Sequence, residues 1–253
     1  MRSATLERLE SLLETRKLAG TLTSRAPDTT VESPARPTGV ESLDATLGGG
    51  WRQGEVSEII GPRSSGRTSL LMATLAAATN QGSVVGLVDT FDRFDPVTAA
   101  QAGLDLDRIL WVRGPALTLD SRHPRTDDGR AFCDEAVLKA IRALDLIVRA
   151  GGFAVAALDL ADVPSRHLRA LPFTTWMRLA HAVEGRDSVC LLVGDEPIGK
   201  SARGVSVRLE TATRWNGTSL QSRRFAGFDV HARIGSARTI GAGQPRWMAS
   251  TGD

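Results

Sequence analysis

Glu55–Ala78 reads EVSEIIGPRSSGRTSLLMATLAAA. A short apolar strand runs into a Gly/Ser loop and then into an apolar helix. The loop comprises Gly61, Pro62, Arg63, Ser64, Ser65, Gly66, Arg67 and Thr68, followed by Ser69. It fits the phosphate-binding pattern G-x-x-x-x-G-K-[ST] at every fixed position but one, because Arg67 stands where the lysine belongs. Glycines let such a backbone curl so that successive N–H groups face inward, and the helix N-terminus adds partial positive charge. A cation at the lysine position reaches the β- and γ-phosphates, and the next hydroxyl, here Thr68, binds Mg²⁺. The same residues could make an ordinary βα turn with Gly66 near the helix start. The strand before and the helix after favour the phosphate loop. Arginine keeps the charge but is planar and forked, so the swap is not conservative, and whether the loop still works is a separate question.

The chain around this stretch has 253 residues, enough for one α/β domain with a sizeable core plus appendages. Its net charge of +2 is too small to indicate a polyanionic partner by itself. Cys133 and Cys190 lie far apart without metal-ligand spacing, and Cys190 sits in an apolar run, which points to a reducing, cytoplasmic setting. No apolar run reaches membrane-spanning length, and the charged N-terminus lacks a signal-peptide core.

Residues 1–20 read as an amphipathic helix, with Leu6, Leu9 and Leu13 at helical spacing. A lone amphipathic helix needs a surface to pack on, in its own domain or on a partner. Residues 21–37, rich in Thr, Ser and Pro, read as a tether. The core follows over 38–235. A short helix and a glycine turn lie within Thr38–Gly54, a strand over Ser83–Thr90, a short helix over Pro96–Gly103 and a strand over Ile109–Val112. Arg113–Arg130 is polar and aperiodic and reads as a mobile loop; its Arg122 and Arg125 could touch phosphates. Ala131–Ala150 is a helix with Val137, Leu138, Ile141, Leu144 and Val148 on one face. Apolar strands over Phe153–Leu160 and Ser188–Gly194 flank a helix at Pro172–Val183 that carries Trp176, Met177 and Ala180. Val205–Trp215 and Phe228–Ile234 alternate with a period near two and read as an antiparallel hairpin. Residues 236–253 read as a loosely ordered tail. Strands alternating with helices, most of them continuous apolar runs, predict an α/β fold: a mostly parallel sheet covered on both faces, with an antiparallel edge.

A phosphate loop needs a carboxylate for the magnesium shell at the end of a neighbouring strand, and AVAALDL offers Asp159, whose alternative is helix capping. Hydrolysis also needs a group to activate water. Asp89, Asp92 and Asp95 follow the second strand as candidates, with turn and cap chemistry as the alternative. His123, His167, His181 and His231 form no catalytic arrangement.

TGVESLDATLGGG, GPRSSGRTSL, LVDTFDRFDP and AALDL, in this order and spacing, resemble the core of the RecA recombinases from about Thr38 to Ile234. The closer resemblance is to the RecA-like ImuA family, through GPRSSGRTSL, ILWVRGP and GGFAVAALDLADV. It implies a cytoplasmic accessory protein of the damage-inducible (SOS) mutagenesis cassette, nucleoid-associated after DNA damage. Such a protein works with ImuB, a Y-family-polymerase-like protein, and in a wider assembly with RecA and an error-prone C-family polymerase. It also implies departures from RecA. Phe91 stands at the place of the catalytic glutamate, and Asp195, with Glu196 beside it, at the γ-phosphate-sensing glutamine. Pro197–Gly204 and Leu160–Asp187 leave little room for RecA's DNA-binding loops. Three readings follow. The first is a non-hydrolysing adaptor, whose N-terminal helix could join a partner or a second copy. The second is a weak, DNA-stimulated ATPase using ATP and Mg²⁺ through Thr68 and Asp159, with Arg67 replacing the lysine and Asp92 or Asp89 replacing the glutamate. The third is a DNA-binding module using Arg122, Arg125, Arg223 and Arg224.

Overall fold

The computed structural model describes residues 34–116, 127–198, 204–217, 222–235 and 245–249. The continuous apolar runs form the centre of its sheet, and the alternating ones its edge. In chain order the first elements are β1 (Ala35–Arg36), α1 (Glu41–Leu47), β2 (Trp51–Arg52), β3 (Val56–Ile60), α2 (Arg67–Asn80), β4 (Val84–Asp89), α3 (Pro96–Gln101) and β5 (Ile109–Arg113). The rest are α4 (Asp127–Ala150), β6 (Phe153–Asp159), α5 (Ser165–Ala170), α6 (Phe173–Val183), β7 (Val189–Gly194), β8 (Ser206–Asn216), β9 (Arg224–Gly235) and β10 (Arg246–Ala249). β1 and β2 pair with each other; the larger sheet runs β10-β9-β8-β3-β7-β6-β4-β5. From β5 to β8 every neighbouring pair is parallel, and β8, β9 and β10 are antiparallel. This is the expected α/β architecture.

Burial on both faces explains the composition of the central strands. Val155 and Ala157 of β6 pack toward Leu70, Leu71 and Leu75 of α2. Ala156 and Leu158 pack toward Ile141, Leu144 and Val148 of α4 and Trp176, Leu179 and Val183 of α6. Each fully buried side chain of this size contributes ~1.5–3 kcal/mol. Cutting Leu144 to Ala would cost ~2–5 kcal/mol, because the cavity adds to the lost transfer energy.

The structure corrects several sequence readings. Leu138 does not share the core face of α4; it is largely exposed, and Val137, Ile141, Leu144 and Val148 form the stripe. Ala35–Arg36, placed in the tether, is a strand held by Arg52 and Trp51. Arg113 ends β5 and helix α4 already begins at Asp127, so the expected Arg113–Arg130 loop is shorter at both ends. β9 starts at Arg224 rather than Phe228, because Phe225 stacks edge-on against Trp215 and Phe228 at 5.9 and 5.0 Å. The tail contains β10, which covers the free edge of β9 and sets Trp247 against the α2-side core. Helix α5 was not read from sequence at all. The N-terminal helix with Leu6, Leu9 and Leu13, the tether before Pro34, Arg122, His123, Arg125 and the remaining tail lie outside the described residues.

Candidate nucleotide site

The parallel registers line up the C-terminal ends of four strands. Asp89 of β4 stands opposite Asp159 of β6, Asp159 opposite Val193 of β7, and Gly194 opposite Ile60 of β3. This end of an open α/β sheet is where ligands bind, in the crevice beyond the strands. There the loop after β3 borders a cleft of about 450 Å³, lined on the loop side by Arg63, Ser64, Gly66, Arg67, Thr68 and Ser69. Asp89, Phe91, Arg93, Asp159, Ala161 and Asp162 line the other side.

The loop backbone has the shape its composition suggests. Ser64 and Gly66 both take positive φ, 62° and 87°, with Ser65 between them. Left-handed residues within such a turn bring N–H groups to one side, the arrangement that cradles anions. Ser64 pays strain for this, as a non-glycine residue in the left-handed region. At Gly61 the demand is space: a Cβ there would come within 2.3 Å of Ser65 Oγ and 2.8 Å of the Leu209 carbonyl oxygen. The buried Ser65 Oγ has no hydrogen-bond partner among the described residues. Thr211 Oγ1 donates to the Ser64 carbonyl at 2.8 Å, fixing the outer wall of the loop to β8.

Arg67 is the centre of the site and departs most from the phosphate-loop pattern. It is buried at 6% exposure, and its guanidinium folds onto the protein. Nη1 donates to the Gly61 carbonyl and to Asp195 Oδ1, and Nη2 to the Ala161 carbonyl at 3.4 Å. Asp195 follows β7 directly, and the Gly61 N–H bonds the Gly194 carbonyl at 3.1 Å, so the carboxylate is delivered beside the start of the loop. Two further contacts hold its segment. Glu58, buried in mid-β3, accepts from the Ile198 N–H at 2.9 Å, and Arg169 pairs with Glu196. Glu58 was not singled out from sequence; a lone acid inside an apolar strand was the available signal.

The acids after β4 are all engaged. Asp89, at 1% exposure, accepts from the backbone of Arg93 at 2.8 Å, the backbone of Phe94 at 2.7 Å and Trp111 Nε1 at 3.3 Å. Asp92 makes two 2.8 Å bonds to Arg113, whose hydrogen bond holds its carboxyl below the ordinary value. Asp95 caps α3, and its carboxyl is lowered mainly by the Thr98 hydroxyl. Phe91 is buried in the α4-side core at 2% exposure and cannot move a proton.

Asp159 and Thr68 line the same cleft, as a shared magnesium shell requires. Desolvation pushes the Asp159 carboxyl up to about 6, against the Ala161 N–H that its Oδ1 accepts at 2.9 Å. It is therefore mostly ionised at neutral pH. Burial works against ionisation of Asp162, but Arg63 and Arg93, at 2.7 and 2.8 Å, outweigh it and hold the carboxyl below its ordinary value. The loop backbone and the Thr68–Asp159 pair thus fit a phosphate group with its magnesium. The charge of Arg67 does not, because protein atoms already take it up. The other candidate groups are scattered: Arg223 and Arg224 lie exposed at the hairpin, and His167 of α5 is buried against Asp134 of α4 at 2.6 Å.

Residues 11–117 match the sequence profile of the RecA N-terminal domain. Over 74 residues the chain is 43% identical to the protein RecA of Prochlorococcus marinus strain MIT 9303, covering 29% of this chain and 20% of that protein. Over 86 residues it is 42% identical to the protein RecA of Sinorhizobium medicae strain WSM419, covering 34% of this chain and 24% of that protein. The chain therefore spans about a fifth to a quarter of the length of these relatives. The domain is RecA-like, and among its described residues no helix is long and apolar enough to cross a membrane.

Proposed function

We propose that this chain is a RecA-like adaptor whose nucleotide site no longer turns over. One observation carries the reading: the cation of the phosphate loop is bound to Gly61, Ala161 and Asp195. Supporting it, the acids after β4 hold turns and caps, and the glutamate position is a core phenylalanine. Losing a general base typically lowers a rate by ~10²–10⁴, and a missing phosphate contact adds to that. What remains is a folded surface that can hold other proteins. The motifs GPRSSGRTSL, ILWVRGP and GGFAVAALDLADV point to the ImuA type of adaptor, in SOS mutagenesis and translesion synthesis. The partners would be ImuB, and in the wider assembly RecA and an error-prone C-family polymerase.

Co-purification of the full chain with ImuB tests this, read by light scattering with and without residues 1–20. A stable complex supports the adaptor. No complex in any nucleotide state rejects it, and binding unchanged by the deletion removes Leu6, Leu9 and Leu13 from the interface. A second reading, a weak ATPase, is favoured by Thr68 and Asp159 sharing the cleft. Phosphate release with and without single-stranded DNA separates it from the first.

A further inference from the structure

Asp195 takes up the guanidinium of Arg67. A cation at this loop position ordinarily meets the β- and γ-phosphates. Here the same charge meets a carboxylate that belongs to the protein. The carboxylate is held in place. Its chain neighbour Gly194 bonds the first residue of the loop, Ile198 is tied to buried Glu58, and Glu196 is tied to Arg169. Asp195 is itself half-exposed and borders the neighbouring cavity beside Trp176 and Ile198, so it meets the cleft through the Arg67 guanidinium that lines it.

Of the loop backbone, the folded-back arginine takes only the Gly61 carbonyl. The turn through Ser64 and Gly66 and the first turn of α2 still face the cleft, with Thr68 and Ser69 at its wall. These groups hold phosphate through N–H donors and need no side-chain cation. A further phosphate that reached for Arg67 would come beside the Asp195 carboxylate already paired with it, and like charges at that range repel strongly.

We propose that the site selects a nucleoside diphosphate over the triphosphate, the Asp195 carboxylate standing in for the third phosphate on Arg67. This rests on reading the loop as a nucleotide site without turnover, and it adds the ligand class and its selection.

Isothermal titration of the full chain with ADP and with ATP, each with Mg²⁺, reads the selection directly. The wild type is expected to bind ADP about 10-fold or more tighter than ATP, the effect of one added like charge at close range. Asp195→Asn keeps an oxygen for Arg67 and removes the negative charge. It is expected to close the gap, with ATP gaining about 10-fold and ADP nearly unchanged. Ligand-induced shifts in melting temperature give a second readout and show that the variant is folded: ADP should shift the wild type more than ATP, and the two should converge in Asp195→Asn. Wild type that binds ATP as tightly as ADP overturns the proposal. So does a preference that survives Asp195→Asn, or binding of neither nucleotide by either protein. Measurable phosphate release would reject the non-hydrolysing reading while leaving the selection to be read from the titrations, so the two failures are distinguishable.

Discussion

The two halves of the cleft differ in what they are made of. The loop from Gly61 to Thr68 is built from backbone, and its shape follows from Ser64 and Gly66 in left-handed conformation and from the space kept open at Gly61. The turn from Asp89 to Asp95 is built from side chains, and each of its carboxylates is bound to its own surroundings. A backbone cradle persists as long as the fold persists. Side-chain chemistry needs groups left free, and here those groups have become struts. On the proposed reading, holding a phosphate is separated from acting on one, and Arg67 lies on the boundary, inside the cradle but tied to Asp195.

The contrast can be broken first at Phe91. If it is part of the core, Phe91→Glu will not restore a catalytic base. It should destabilise by ~3–5 kcal/mol in a urea melt, as an uncompensated buried charge that also removes an apolar ring. A stable variant with new phosphate release would show that the catalytic station had only been vacated. Asp89→Ala should come next, at ~1–3 kcal/mol, because it leaves the Arg93 and Phe94 N–H groups and Trp111 Nε1 without their acceptor. A loss under a few tenths would mean that Asp89 does not organise the turn.

Asp159 should act in the opposite direction. Its carboxyl is raised from 3.8 to about 6 in the fold, so the folded chain binds more protons than the unfolded one between those values. Stability therefore falls as pH rises through that window, and the full penalty is present above about 6. Asp159→Asn removes the penalty. It should stabilise by ~1–2 kcal/mol at pH 7, discounted for the surface that the residue keeps in solvent, and the gain should vanish below pH 4. Melts of both proteins across pH 4 to 7 check the sign, and a variant less stable at pH 7 would refute it. The smallest effect is expected for Arg113→Ala, at ~0–1 kcal/mol, because its pair with Asp92 faces solvent. A larger loss would make that pair part of the frame.

The backbone half was legible in the sequence for the same reason that it persists. Glycine spacing, a strand before and a helix after are local signals; β4, β6 and β7 announced themselves as apolar runs, and β3 as a short apolar strand interrupted by Ser57 and Glu58. The side-chain half was not legible. Arg67 and Asp195 are 128 residues apart, and only the parallel pairing of β3 with β7 brings them together. Glu58 and Ile198 meet for the same reason, across 140 residues. Leu138 was misread because helical spacing alone placed it at the margin of a stripe whose true centre is set by the sheet. β10 was missed because its four residues gain their order from pairing with β9 rather than from their own composition.

The central claim is that this site holds without turning over. Steady-state phosphate release from Mg²⁺-ATP by the purified full chain, run beside Asp159→Asn, tests it most directly. The two proteins are expected to be indistinguishable and to stay at the no-enzyme background. Turnover by the wild type that Asp159→Asn abolishes would contradict it.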